Sequence, residues 1–483
     1  MVKEKVFQDG ITVKKEDNFN EWFTQLMIKA ELADYTKVSG CIVFRPGSYA
    51  IWEMFVSECD KLMKKAGIQN VYFPLFIPES LLVKEEEHVE GFAPEVAWVT
   101  HGGNTKLGER LAVRPTSEAI MYDSFAKWIR SHNDLPMRYN QWNNVVRWEF
   151  KNPVPFFRTR EFLWNEGHTV FATHDEAVSE GDEILGIYDK VVSEFMALPS
   201  VRGKKTDKEK FAGAVYSDKL HYMTNSGRVI EGPCFHYDGQ NFARAYGIKF
   251  LNKNGNEEFA YQNTWAVSTR MLGTMFTIHS DDKGLVLPPK LALQKVVIVP
   301  ILFDKTKDKV LKTASEVKKT LNSFNPMLDS REDVSPGRKF NEWELKGIPL
   351  RIEIGPKDLE KKSVTVVKRN SGEKISVKIS NLKKEVLRLL DEIQIELYDN
   401  AEKVLKKSMK KSEDINETIK FVKDKKMVSV PMCKNEKCEE VLKERMPGLK
   451  TLFVDSKNIN VKDKKCVVCS GDADYWVYVG RTY

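Results

Sequence analysis

No apolar stretch in this 483-residue sequence is long enough to cross a bilayer. The longest uninterrupted one, residues 296–303, contains Pro300 and is eight residues long, whereas a membrane-spanning helix needs about 20. The opening residues, MVKEKVFQDG, hold no apolar segment of the kind a secretory signal requires, so a cytoplasmic protein without a membrane partner is expected. Seven cysteines in a chain of this length exclude a small disulfide-stapled module. No fixed-period repeat or long low-complexity tract interrupts the sequence. Neither charge sign dominates, since 76 Lys and Arg stand against 69 Asp and Glu.

The balance of 42% hydrophobic and 30% charged residues is that of a globular chain, most of which can bury a core. At roughly 150 residues per domain, the length suits about three domains. The net charge of +7 is unevenly spread. Residues 291–483 carry 41 Lys and Arg against 30 Asp and Glu, and residues 1–290 carry 35 against 39. A basic half joined to a slightly acidic one fits a polyanion partner held by the C-terminal part, although a lysine-rich solvated surface gives the same count.

Residues 49–66 place Ile51, Trp52, Phe55, Cys59, Leu62, Met63 and Ala66 at helical spacing, and Gly67 closes the run. Residues 71–77 read as a short strand that Pro74 confines to an edge or a bulge. A second helix is expected over residues 117–131. The strongest strand pair covers 142–168. Period two puts Val145, Arg147 and Glu149 on one face and, after a loop with Pro153 and Pro155, puts Arg160, Phe162, Trp164, Glu166 and His168 on one side. A helix over 171–198 and a strand followed by a helix over 257–276 come next. Past Pro288 and Pro289 a new alternation begins, with strands at 296–299, 350–354 and 363–367 and helices at 307–321 and 382–397, the pattern of a compact α/β domain. Residues 401–426, with nine Lys and five acids, suit an exposed helical connector.

Four of the cysteines cluster, Cys433 and Cys438 as C-x4-C and Cys466 and Cys469 as C-x2-C. Two close pairs let four sulfurs converge on one tetrahedral structural Zn2+, while free thiols or a redox pair would use the same spacing. Cys41, Cys59 and Cys234 read as small buried hydrophobes.

Arg147 and Glu149, with Arg158 and Arg160 beyond the loop, place three guanidinium groups and a carboxylate around one surface. Arginine suits bidentate phosphate recognition, and surface ion pairs would draw on the same residues. The run RWEF, loop, FRTREF resembles motif 2 of the class II aminoacyl-tRNA synthetases. The helix and strand ending at Pro74 resemble motif 1, the dimer-forming element, and WAVSTRMLGTMFTIHSDDKGLVLPP resembles motif 3. Together FAPEVAWVT, RPTSE, QWNNVVRWEF, RTREFLWNEGH, KFAGAVYS, GQNF and KFNEWELKGIPLRIEIGP resemble the prolyl-tRNA synthetases of the archaeal and eukaryotic type.

The resemblance implies an α+β fold: a class II antiparallel-sheet catalytic domain over 1–290, an α/β anticodon-binding domain over 291–400 and a small C-terminal α/β zinc-binding domain over 401–483. It implies a proline–tRNA ligase that joins L-proline to ATP as prolyl-adenylate, releases pyrophosphate and passes the prolyl group to tRNA(Pro), working as a homodimer through motif 1. Arg147, Arg158 and Arg270 would be catalytic through their hold on the phosphates. Thr116, Glu118, Arg147, Trp164, Glu166, His168, Phe211 and His236 would bind proline, with Phe92 also offered to the ring pocket. Proline's secondary ammonium has two N–H donors, which suits acceptors such as Thr116 and Glu118 beside an apolar wall. Arg147, Glu149, Arg158, Thr159, Glu231, Cys234, Ser268 and Arg270 would bind ATP, with Mg2+ on Glu231. The four clustered cysteines would hold structural Zn2+. Arg338, Lys339, Glu342, Trp343 and Arg351 would meet the anticodon, Trp343 being equally suited to a core. Tyr483 would pack back toward the catalytic domain. About 110 residues separate Arg160 from Arg270, too few for the editing domain that bacterial-type relatives insert there. Glu231, Pro233 and Cys234 depart from the Gln, Gly and small hydroxyl residue usual at those positions. A binding protein of synthetase descent and a class II synthetase for another small amino acid, cysteine foremost, are the competing readings.

Overall fold

In the computed structural model, residues 10–88, 95–149, 153–457 and 460–482 are described. Helix α1 (Pro46–Lys65) opens on a proline, whose fixed φ suits the first turn, and buries Ile51, Trp52, Phe55, Cys59 and Met63 along one stripe. Helix α2 (Glu118–Trp128) has Ser117 as its N-cap residue, yet that side chain makes no capping bond. Helix α3 (His174–Met196) starts at a reciprocal capping box between Thr173 and Glu176 and buries Ile184, Leu185, Tyr188, Val191 and Val192. Helix α4 (Arg270–His279) is buried along most of its length.

A seven-stranded sheet supports these helices. Its strands are β1 (Gln69–Asn70), β2 (Met137–Val146), β3 (Glu161–Phe171), β4 (Val201–Lys204), β5 (Tyr216–Met223), β6 (Val229–Gly239) and β7 (Tyr261–Ser268), in the spatial order β1-β2-β3-β7-β6-β5-β4. Only β1 and β2 run parallel. The register sets Gln141, Glu166, Ala266, Cys234 and Lys219 side by side across five strands, all on one face. Their neighbours along the strands point the other way, and Leu220, Phe235 and Trp265 join the core of α1 and α3. Two glycines permit that packing: a Cβ on Gly167 would lie 2.1 Å from the Trp265 ring, and one on Gly181 of α3 would lie 2.9 Å from the Phe235 ring.

Residues 161–269 are taken up by β3 to β7, α3, a short helix (Asn241–Tyr246) and a small hairpin (Lys249–Leu251 with Glu257–Phe259), so no inserted domain occupies that span. A mixed sheet follows, with β8 (Val296–Pro300), β9 (Met327–Leu328), β10 (Leu350–Ile354), β11 (Ser363–Lys368) and β12 (Lys374–Lys378) in the order β9-β8-β10-β11-β12. Helix Lys307–Thr320, α5 (Pro336–Leu345) and α6 (Leu382–Ser408) accompany it. The last sheet contains β13 (Met409–Lys411), β14 (Met427–Met432), β15 (Leu449–Val454) and β16 (Tyr475–Arg481) in the order β13-β14-β16-β15, with α7 (Glu436–Arg445) beside β15. It docks on the β4 edge of the first sheet, where Phe453 occupies the space that a side chain on Gly203 would need. No described helix is long and apolar enough to cross a membrane.

Three expectations are corrected. Residues 71–77 are not one strand, because Pro74 lies in an irregular stretch between Gln69–Asn70 and Phe76–Pro78. The helix expected at 382–397 continues to Ser408, since Ala401 and Leu405 extend its buried stripe. The region 401–426 is therefore the end of α6, strand β13 and a helix at Ile415–Lys423, rather than one exposed connector. Gly167→Ala should cost about 1–3 kcal/mol through the clash with Trp265. Urea unfolding checks this, and an unchanged midpoint would contradict the packing described.

Candidate active site

The open face of the first sheet forms one wall of a cavity of about 440 Å³. Its floor is organised by the carboxylate of Glu166, which is 2% exposed. Oε1 accepts from Ser117 Oγ (2.5 Å), Asn143 Nδ2 (2.7 Å) and Gln141 Nε2 (3.0 Å). Oε2 accepts from Ser117 N (3.0 Å) and lies 3.2 Å from His168 Nε2. The Ser117 hydroxyl is thus engaged by Glu166, which explains why it does not cap α2. Burial alone would push the Glu166 carboxyl up, but the bond and charge of His168, with Ser117 and Asn143, hold it at about 2. Burial opposes protonation of His168, yet its bond to Glu166 and the charges of Glu118 and Glu166 raise it above the ordinary imidazole value. Its Nδ1 is 3.2 Å from Tyr122 Oη, one turn into α2.

Beside this floor the Thr116 hydroxyl donates to Glu118 Oε2. The Phe211 and His236 rings meet at a tilt of 35° with centroids 4.8 Å apart. Ser217 Oγ accepts from Phe211 N (2.8 Å) and lies 2.6 Å from His236 Nδ1. Burial, helped by the charge of Lys219, brings His236 down to about 3, and the ring is neutral near pH 7. Trp164 lines the same cavity, and its buried indole N–H has no partner among the described residues.

The other end is cationic. Arg147, just past β2, donates from Nε to Pro115 O (2.9 Å), and its guanidinium lies 5.3 Å and 5.7 Å from the ring centroids of Trp164 and Phe162. Arg270 donates to Phe157 O at 3.2 Å, and its backbone N–H donates to Ser268 Oγ at 3.3 Å. Burial, then Arg147 and Arg158, lower Arg270 while Glu231 opposes them, but a guanidinium stays charged. Both oxygens of Glu231 accept from lysines at 2.8 Å, Oε1 from Lys205 Nζ and Oε2 from Lys219 Nζ. Burial would raise Glu231, but these ammonium charges hold it well below the usual carboxylate range. Mg2+ on Glu231 does not fit this arrangement, because it would have to displace an ammonium from a site already rich in positive charge. The Cys234 thiol, raised by burial, donates to Ala266 O at 3.7 Å.

Of the positions expected to bind proline or ATP, Thr116, Glu118, Arg147, Trp164, Glu166, His168, Phe211, Glu231, Cys234, His236, Ser268 and Arg270 line this single cavity. Glu149 is exposed past the end of β2, and Thr159 is buried away from the cavity. Arg158 lines an adjacent cleft with Lys443 and Lys450. Arg160 departs from the expected surface: it donates to Ser39 O at 3.0 Å and lies over the Trp148 ring. Phe92 and Tyr483 fall outside the described residues. Sequence reasoning missed Asn143 and Gln141, although the alternation through Arg147 and Val145 reaches them two and four residues before Val145. It also missed Ser117, Ser217 and Lys219, each inside or within two residues of a recognised motif.

Three family models match successive parts of the chain. The class II core domain of tRNA synthetases (G, H, P, S and T) matches residues 98–279, the anticodon binding domain 295–389, and the prolyl-tRNA synthetase C-terminal domain 415–483. The chain is 43% identical to proline–tRNA ligase 2 of Bacillus cereus, with all of both chains covered. It is 42% identical to the cytoplasmic proline–tRNA ligase of Arabidopsis thaliana, covering 98% of this chain and 91% of that one. The chain belongs to the prolyl-tRNA synthetase family. It also spans 33% of the bifunctional glutamate/proline–tRNA ligase of Cricetulus griseus, at 41% identity. The prolyl-tRNA synthetase of Cryptosporidium parvum, solved in complex with halofuginone and AMPPNP, superposes with a TM-score of 0.93 at 41% identity, covering 98% of this chain and 100% of that one.

In this prolyl-tRNA synthetase chain the sulfur atoms of Cys433, Cys438, Cys466 and Cys469 lie within 4.8 Å of one another. The Cys433 sulfur is 3.5 Å from that of Cys438 and 3.8 Å from that of Cys469, too far for a disulfide and close to the separation that Zn–S bonds of about 2.3 Å impose on a tetrahedron. The four thiols fit Zn2+, which would close them into a structural site.

The anticodon expectations divide by burial. Lys339 Nζ donates to Asp329 O and Arg331 O inside the domain. Trp343 donates to Asp329 Oδ2 at 2.8 Å and packs with Val297, Val299 and Ile348. Arg351 is held between Glu344 and Glu353. These three are structural, since base reading requires reach into solvent, and their expected role is corrected. Arg338 is exposed, and the partly exposed Glu342 pairs with Arg331 at 2.8 Å.

Glu166→Gln should lower unfolding free energy by about 1–3 kcal/mol at pH 7. A depressed carboxyl stabilises the fold fully above its ordinary value near 4.5 and loses that contribution as pH falls toward about 2, so the difference from wild type should shrink over that window. A constant difference in urea unfolding from pH 7 to 3 would contradict it. Cys466→Ser should drop bound zinc below one per chain, read by metal analysis, and lower the thermal midpoint. Undiminished zinc would contradict the four-sulfur site.

Proposed function

We propose that this chain activates L-proline with ATP and transfers it to tRNA(Pro), as a prolyl-tRNA synthetase of the archaeal and eukaryotic type. The observation that carries the reading is a single cavity joining an acceptor-lined aromatic end to a cationic end. Proline's carboxylate oxygen attacks the α-phosphorus, the bond to the β-phosphate oxygen breaks and pyrophosphate leaves. A ribose hydroxyl of the terminal tRNA adenosine then takes the prolyl group, and AMP is released.

Thr116 and Glu118 receive the two N–H donors of proline, and Trp164, Phe211 and His236 enclose its ring above Glu166 and His168. Arg147 and Arg270 hold the phosphates, with Arg158 reaching the departing pyrophosphate from the adjoining cleft. Ser268 and Cys234 line the nucleotide end, and Glu149, exposed past β2, is assigned to the adenosine side, whereas the buried Thr159 is left out of the ATP contacts. Catalysis rests on positioning and on charge aimed at the phosphate, with no covalent intermediate on the protein. Mg2+ would arrive with the nucleotide. The AMPPNP complexed with the Cryptosporidium parvum enzyme supports a nucleotide here.

Domain limits at 1–290, 291–400 and 401–483 follow the same reading, with α6 crossing the second limit. A homodimer through α1 is supported by an outward cleft in which Tyr49, Trp52 and Val56 meet Trp142 and Leu163. Cytoplasmic placement is supported by the name of the Arabidopsis relative. The anticodon role is narrowed to Arg338 and Glu342.

Exchange of pyrophosphate into ATP should depend on proline and should not be supported by cysteine, alanine or threonine. Exchange with none of the four would overturn the reading, and exchange with another in preference to proline would reassign the substrate. Glu342→Ala should reduce tRNA aminoacylation about tenfold, the size of one lost charge-assisted hydrogen bond, while sparing that exchange. Equal loss in both assays would remove Glu342 from RNA recognition.

A further inference from the structure

We propose that Lys219 is a further catalytic residue of adenylate formation, its ammonium standing at the seam between the two substrates and holding the α-phosphate that proline attacks. This rests on the ligase reading above.

The register of the sheet carries the argument. Lys219, Cys234, Ala266 and Glu166 form one row across β5, β6, β7 and β3. Two residues along on one side lies the row Ser217, His236, Thr264 and His168, the amino-acid end. Two residues along β7 on the other side lies Ser268, whose hydroxyl accepts from the Arg270 backbone N–H at the nucleotide end. Lys219 is therefore rooted in the row between the two sites. Its bond to Glu231 Oε2 draws the ammonium toward the nucleotide side.

Charge counting separates Lys219 from its neighbours. Glu231 offers one negative charge and receives Lys205 and Lys219, with Lys450 a further 3.9 Å from Oε1. The Lys205 side chain, 1% exposed and absent from the cavity wall, suffices to neutralise it. Lys219, whose side chain is 19% exposed, is the surplus cation and the one that faces the cavity. Arg147 enters from the β2 side of the sheet and Lys219 from the β5 side, so an α-phosphate between them is flanked by two cations. As the new O–P bond forms and the bond to pyrophosphate breaks, charge accumulates on the non-bridging oxygens, where a preoriented ammonium stabilises it. Glu231 acts through Lys219 and is a positioning residue.

Lys219→Met should slow proline-dependent pyrophosphate exchange about 100-fold in kcat, leaving the proline KM within about threefold, with Lys219→Arg recovering part of the loss. The deciding variant is K219M/E231Q. If Lys219 serves only to neutralise Glu231, removing both groups returns the rate to that of E231Q. The proposal expects the double variant to stay as slow as K219M. Because it leaves no unpaired carboxylate, it is compared with E231Q directly should K219M fail to fold. Wild-type exchange with an unimpaired K219M, or a double variant as fast as E231Q, overturns this assignment alone. Wild type without exchange for any amino acid overturns the ligase reading instead.

Discussion

A carboxylate taken out of water fixes the geometry of the pocket. Removing Glu166 from solvent would cost several kcal/mol if it were unpaired, and the charge is tolerated because donors from three elements close around it. Ser117 comes from the start of α2, Gln141 and Asn143 from β2, and His168 from β3. Each of those bonds also locates the element that supplies it. Thr116 and Glu118 flank Ser117 in sequence, so the acceptors assigned to the amine inherit their place from the Glu166 bonds. Tyr122, further along α2, completes the tie through His168. The amino-acid end is thus rigid through polar satisfaction and not through apolar packing alone.

The nucleotide end is built on the opposite sign and reaches beyond the catalytic sheet. Glu209 stands on a segment after β4 that the C-terminal module grips: Thr206 donates to Glu439 of α7, and Glu209 receives Lys443 and Lys450. Helix α7 also carries Cys438, one of the four clustered thiols. Part of the positive charge of the C-terminal half is therefore engaged within the chain, against acids of the catalytic domain. A surplus of basic residues in sequence overstates the surface offered to RNA.

Much of this was legible before the fold was known. Period two across Phe162, Trp164, Glu166 and His168 marked a wall of the cavity, and α1, α3 and β10 fell close to where periodicity put them. The spacing of Cys433, Cys438, Cys466 and Cys469 foretold their convergence. What stayed hidden depends on partners distant in sequence. Lys339, Trp343 and Arg351 look like RNA contacts until Asp329, Glu344 and Glu353 appear beside them. Lys205 and Lys219 look like solvated lysines until cross-strand register brings both to Glu231. Arg160 shares a motif with Arg158, yet the approach of residues 39 and 40 turns it away from the cavity. Local pattern reports which face a residue takes, and only the assembled sheet reports what it meets there.

The central claim is that one cavity holds both substrates end to end, with the reacting bond over the row from Glu166 to Lys219. A crystal structure with a non-hydrolysable prolyl-adenylate analogue tests it most directly. The account predicts the pyrrolidine ring between Trp164, Phe211 and His236, its nitrogen at Thr116 and Glu118, and the phosphate mimic between Arg147 and Lys219. An analogue bound in the reverse sense, or outside this cavity, would contradict it.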